Sequence, residues 1–174
     1  MLLAVVVDLR VLAAVDRSAL AVIQTPHAAV LDLLASIVVL FGHTEVVGTI
    51  ALATAIVWWR HRRAGGWLLI GLALVIAVEL ILKQTLPQPA PPGELARGVE
   101  LLPFLRPPTA YTFPSGHVAR VAFLVTAVGL PLPVRAATIA VMALASVYLG
   151  GHWPTDVVGG WLLGYTTAAF AGRR

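Results

Sequence analysis

Across residues 118–172 the chain carries just three ionised side chains, Arg120, Arg135 and Asp156. Apolar runs of this length have to be hidden from water, and a chain this short has little polar mass to hide them behind. Read backward, residues 157–172 and 136–151 are apolar and uncharged, and 118–134 is interrupted only by Arg120. Residues 66–82 hold one carboxylate, Glu79, and the apolar run 46–59 continues backward through 33–41. Each run approaches the ~20 residues that a bilayer core requires once its flanks are counted. Composition agrees: 59% of residues are hydrophobic and 11% charged, against about 25% charged in a soluble domain. The pattern predicts an all-α, polytopic transmembrane helix bundle with about five to six spanning helices.

The expected organisation is a single membrane-embedded domain over residues 1–174. In residues 1–32, Asp8, Arg10, Asp16 and Arg17 interrupt the apolar stretch, which disfavours a simple span. This segment reads as an amphipathic interfacial helix or a sixth, partly spanning one. With no basic segment before its apolar start, it does not read as a cleaved signal peptide. Residues 84–114 contain eight of the twelve prolines and cannot be helical throughout. A loop of this length is generally functional, whereas residues 131–135 read as a tight hairpin.

Basic residues set an expected orientation. Arg60, His61, Arg62 and Arg63, then Arg135, then Arg173 and Arg174 fall on one side if five spans alternate, and the positive-inside rule makes that side cytoplasmic. Lys83, the proline-rich loop, Ser115 and the turn at 150–156 then share the extracytoplasmic face. The formal charge of +4 does not form a basic stripe, so nucleic acid is not an expected partner. The absence of cysteine excludes disulfides, zinc–thiolate sites and thiol nucleophiles.

Three sequence neighbourhoods carry chemistry. Pro114-Ser115-Gly116-His117 precedes a long apolar run, so Ser115 is either a plain N-cap or part of an anion site built from backbone N–H groups, a hydroxyl and an imidazole. In Gly151-His152-Trp153-Pro154-Thr155-Asp156, Thr155 is a candidate cap, and Asp156 is four residues from His152. A carboxylate there can bond one ring nitrogen and leave the other nucleophilic; the plainer reading is an acidic first turn. Lys83, the single lysine, lies four residues after Glu79, as an ion-pair partner or as a phosphate-binding ammonium. His117, His152 and Asp156 complete no recognisable metal-ligand spacing, so neither a metal nor another cofactor is expected. His27, His43 and His61 read as interfacial or loop histidines. Gly160 and Gly164 form a small-xxx-small pair suited to close helix approach.

In this order the blocks resemble the type-2 phosphatidic acid phosphatase superfamily, which includes membrane lipid phosphatases, bacterial acid phosphatases and vanadium haloperoxidases. Its pattern is Lys-x6-Arg-Pro, Pro-Ser-Gly-His, then Ser-Arg-x5-His-x3-Asp. Lys83 supplies the first block, residues 114–117 the whole second, and His152 with Asp156 the third. The resemblance implies that His152 attacks phosphorus to form a phosphohistidine, that Asp156 orients it, and that His117 protonates the leaving oxygen. It assigns the phosphoryl oxygens to Lys83, Ser115 and the Gly116 backbone, without a metal. Two slots differ: Ala90-Pro91 stands where Arg-Pro belongs, and Ala145-Ser146 where Ser-Arg belongs. Arg106-Pro107, and Arg120 one turn beyond His117, are the candidate replacement cations; the plainer reading of Arg120 is a side chain that snorkels to the headgroups. The resulting expectation is an extracytoplasmic membrane phosphatase acting on a lipid phosphate or isoprenyl diphosphate. The alternative is a catalytically impaired relative that binds such a lipid without hydrolysing it. A vanadate-dependent haloperoxidase fits less well, because that chemistry belongs to larger soluble chains.

Overall fold

The computed structural model describes residues 12–61, 65–102 and 108–171, and these contain α-helices, one 3-10 turn and no strand. The helices are α1 (Ala13–Ile23), α2 (Ala29–Leu40), α3 (Thr44–Arg60), α4 (Gly66–Thr85), α5 (Gly116–Ala127), α6 (Leu132–Tyr148) and α7 (Pro154–Ala171). Their ends follow local chemistry. Glu45 and Arg60 complement the dipole at the two ends of α3, and Pro133 lies in the first turn of α6, where a missing N–H costs no helix bond.

The bundle is built around α5, which packs most extensively on α7 and also touches α3, α4 and α6. Gly160 and Gly164 permit this approach: a methyl group on either would collide with the backbone oxygen of Ser115 or Ala119. The small-residue reading of these glycines therefore holds. Phe123 is fully buried with its ring against Gly71 of α4, and Val118, Val75, Leu68 and Val47 complete the core around it. Outward faces are strongly apolar; Trp59, Ile70 and Ile81 are 81%, 73% and 61% exposed, more than a water-facing surface would tolerate from residues of this size.

Several expected boundaries change. The run 33–59 is not one helix: α2 and α3 meet at a 46° bend, with the break at residues 41–43. The run 118–134 ends early, because α5 stops at Ala127 and Gly129 turns the chain with φ +79°. Residues 132–135 are therefore the first turn of α6 rather than the hairpin itself. At 1.5 Å per residue α5 is only about 18 Å long, short of a ~30 Å bilayer core. Among the described residues, α4 alone is long and apolar enough to cross a membrane unaided, and the bent α2–α3 pair passes the same test together. The expected count of five to six spans is therefore not confirmed: the described residues contain one long helix, one bent pair and shorter apolar helices.

The connectivity sends the C-terminal end of α4, the N-terminal ends of α5 and α7 and the α2–α3 junction to one end of the bundle. Arg60 and Arg135 lie at the other. At the first end the proline-rich connection is pinned down backbone by backbone. Tyr111 N donates to Lys83 O, Thr112 N to Gln88 O, Arg97 N to Leu149 O and Trp153 Nε1 to Pro89 O. Arg97 adds bonds to the carbonyls of Gln24 and Pro26 and lies over the Tyr148 ring.

Candidate active site

His152 lies in the bend that leads into α7 and Asp156 in that helix's first turn, which is capped from elsewhere in the chain. Thr155 does not cap the helix itself. Its N–H and hydroxyl both donate to Asp16 of α1, at 2.9 and 2.7 Å, and Gln88 Nε2 donates to the same hydroxyl. Asp16, which in the sequence interrupts an apolar stretch, is buried at this helix end, where orphan N–H groups and the dipole favour a carboxylate. So fixed, α7 holds Asp156 fully buried, with Oδ2 accepting from Trp153 N at 2.9 Å and 3.3 Å from His152 Nδ1. With Nδ1 turned to the carboxylate, His152 keeps its Nε2 lone pair for other chemistry.

α5 begins opposite. Ser115 occupies the N-cap position, but its hydroxyl makes no capping bond; its backbone N–H donates to Asp156 O and ties the two helix starts together. The His117 ring centre lies 6.3 Å from that of His152, edge toward face. Three buried polar atoms of these two helix starts have no hydrogen-bond partner: Ser115 Oγ, His117 Nε2 and Asp156 Oδ1. Buried polar atoms are seldom left unpaired in a stable fold, which makes the paired helix starts a candidate site.

Lys83, Arg120 and Glu79 form a buried charge cluster. Glu79 Oε1 is 3.1 Å from Lys83 Nζ, and Glu79 Oε2 is 2.5 Å from Arg120 Nη1. Arg120 also donates through Nε to Gly42 O at 3.0 Å, a carbonyl released by the break between α2 and α3. Arg120 is thus held inside the bundle, and the snorkelling reading does not apply. Lys83 does form the ion pair its spacing suggests. Arg106 lies outside the described residues. Of the two slots without arginine, Ala90 is exposed in the loop, while Ser146 is buried and bonds Met142 O within α6.

One cavity of about 920 Å³ is lined by the polar side chains of His43, Glu79, Lys83, His117, Arg120 and His152. Val39, Leu40, Ile76, Leu80 and Leu101 line it as well, so polar and apolar walls share it. His43 is a correction. It is not a bystander at the interface, because its ring stands 4.7 Å from that of His117, edge to face, and Gly42 beside it lies against the His117 Cβ. The helix break between two apolar runs was the signal for it in the sequence. Among the described residues no cluster of three or more His, Cys, Asp or Glu side chains could hold a metal ion.

The chain belongs to the PAP2 superfamily, whose family model matches residues 64–173. It is 30% identical over 117 residues to an undecaprenyl-diphosphatase of Sulfolobus acidocaldarius, covering 64% of this chain and 55% of that one. To a decaprenylphosphoryl-5-phosphoribose phosphatase of Mycobacterium tuberculosis it is 33% identical over 127 residues, covering 69% of this chain and 66% of the relative. The chain therefore spans about half to two thirds of the length of these curated relatives. Its fold is that of a transmembrane PAP2 type phosphatidylglycerolphosphate phosphatase from Bacillus subtilis, with a TM-score of 0.81 at 16% identity over 98% of this chain and 89% of the other. LpxE of Aquifex aeolicus shares it too, with a TM-score of 0.70 at 22% identity over 90% and 94% of the two chains.

Proposed function

We propose that this chain is a multi-pass membrane phosphatase that removes phosphate from a lipid phosphate or isoprenyl diphosphate on the extracytoplasmic side, as one domain over residues 1–174. The observation that carries the reading is that His117, His152, Lys83 and Arg120 line one cavity, with Asp156 held against His152 Nδ1 and His117 Nε2 left without a partner. In this reading His152 Nε2 attacks phosphorus while the bond from phosphorus to the ester or bridging oxygen breaks. His117 gives that oxygen its proton. Water then attacks the phosphohistidine, returning a proton to His117 and releasing inorganic phosphate. Phosphoryl transfer asks mainly for positioning and for neutralised equatorial oxygens. Lys83, Ser115 and the start of α5 at Gly116 supply both, and Arg120 adds charge from behind. Arg106 belongs to the same proposed set.

The apolar residues on the cavity wall support a substrate with a hydrocarbon tail, and the names of both curated relatives contain a polyprenyl group. Arg60 and Arg135 at the opposite end of the bundle support an extracytoplasmic site. The complete set of His117, His152 and Asp156 weighs against a chain that binds but does not hydrolyse, although both motif arginines are replaced.

The test is phosphate release by purified protein from undecaprenyl diphosphate, shorter prenyl phosphates and phosphatidic acid, with His152→Ala alongside. Release that disappears in the variant, with an acid-labile phosphoenzyme trapped in the wild type, is the expected result. Equal release by both proteins would remove His152 from the mechanism. No release by the wild type from any of them would leave the non-hydrolysing alternative.

A further inference from the structure

The groups that should grip a phosphoryl group already grip an anion that belongs to the chain. Glu79 Oε1 takes the Lys83 ammonium and Glu79 Oε2 the Arg120 guanidinium. The same carboxylate lies directly against Gly116, so closely that a methyl group there would fall on its oxygens. Gly116 is the first residue of α5, where helix geometry favours a bound anion. Glu79 is 4% exposed. An isolated ion pair four residues apart explains Lys83, but it does not explain why the carboxylate is shared with Arg120 and packed against the first residue of α5. We infer that Glu79 is an internal occupant of the phosphate subsite, a specificity-determining carboxylate that an incoming phosphoryl group must displace from Lys83 and Gly116.

This inference rests on the reading of the cavity as a phosphate site. Its physical content is competition between two oxyanions for one set of donors. With Glu79 in place, the cluster of Lys83, Arg120 and Glu79 carries a net charge of one, where the two cations alone would carry two. A phosphoryl group carrying close to two negative charges wins the exchange, whereas a singly charged carboxylate or sulfonate headgroup does not. Occupancy also lowers apparent affinity. A subsite that is open for about 1–10% of the time binds its ligand about ten- to a hundredfold more weakly than one that is always open.

Inhibition of turnover, and direct binding, by inorganic phosphate read this without the natural lipid. In Glu79→Gln, which keeps the size of the side chain and removes its charge, phosphate should bind about ten- to a hundredfold more tightly than in the wild type. A carboxylate that merely ties α4 to α5 predicts the opposite sign, because loosening Lys83 and Arg120 would weaken phosphate binding. Unchanged or weaker binding in a folded Glu79→Gln protein overturns the inference and leaves the phosphate-site reading intact. Absence of binding by both proteins overturns the two together. Should the variant not fold, a structure of the wild type soaked with inorganic phosphate decides. Phosphate on Lys83 and Gly116 with Glu79 swung away supports the exchange, and phosphate bound with Glu79 still against Gly116 rules it out.

Discussion

Asp156 and Ser115 make opposite kinds of contribution, and the difference can be measured. Asp156 is already engaged in the free protein, to His152 and to the Trp153 backbone. Asp156→Asn keeps the shape but turns a charge-assisted contact into one that can favour the wrong imidazole tautomer, so kcat should fall by about a hundredfold or more. The affinity for inorganic phosphate should change little, which separates orientation of the nucleophile from binding. The Ser115 hydroxyl makes no hydrogen bond before substrate arrives. Ser115→Ala should therefore leave the melting temperature within about 1 °C while reducing kcat/KM about ten- to a hundredfold, the worth of one bond to a charged oxygen. A fall in melting temperature without a loss of rate would reverse that assignment. Residues of this kind were legible in the sequence because their spacing is short: His152 and Asp156 are one helical turn apart, as are Glu79 and Lys83. Glu79 meeting Arg120 was not legible. That bond joins residues 41 positions apart, and it depends on how α4 crosses α5.

At the scale of elements, the N-terminus of α7 is the component whose stability and function are most closely joined. Asp16→Ala removes an acceptor from both Thr155 groups, and capping losses cost about 0.5–2 kcal/mol. In detergent the melting temperature should drop by about 1–8 °C. Turnover should drop as well, since the frayed turn is the one that carries Asp156. Loss of stability with fully retained turnover would mean that the turn holds its shape without the cap. Most helices could be read from their apolar runs, and the α5–α7 contact from Gly160 and Gly164. The break at residues 41–43 and the early end of α5 were marked only by short punctuation, Gly42-His43-Thr44-Glu45 at the first and Gly129 with Pro131 at the second. Such signals show that a helix stops but not what its end will meet. The place of His43 beside His117 is set by tertiary contact and exists only because α2 and α3 part there.

For the whole molecule, the chain's freedom from cysteine gives its orientation a clean assay. Introduced singly, Gly93→Cys in the 3-10 turn of the loop and His61→Cys beyond α3 place thiols at opposite ends of the bundle, both at exposed positions. In intact cells a membrane-impermeant maleimide should label position 93 and spare position 61, with both labelled after permeabilisation; the reverse pattern would invert the proposed topology. The bond between Asp16 and Thr155 also has a consequence in time. The two residues are 139 positions apart, and at about 5–20 residues per second a ribosome needs roughly 7–28 s to travel from one to the other. Through that interval α1 is already made, its carboxylate still without the helix end it will cap, and the nucleophile has not been synthesised. On the proposed mechanism, competence arrives late and all at once, so that a nascent chain stalled before α7 has no means of acting on a lipid phosphate.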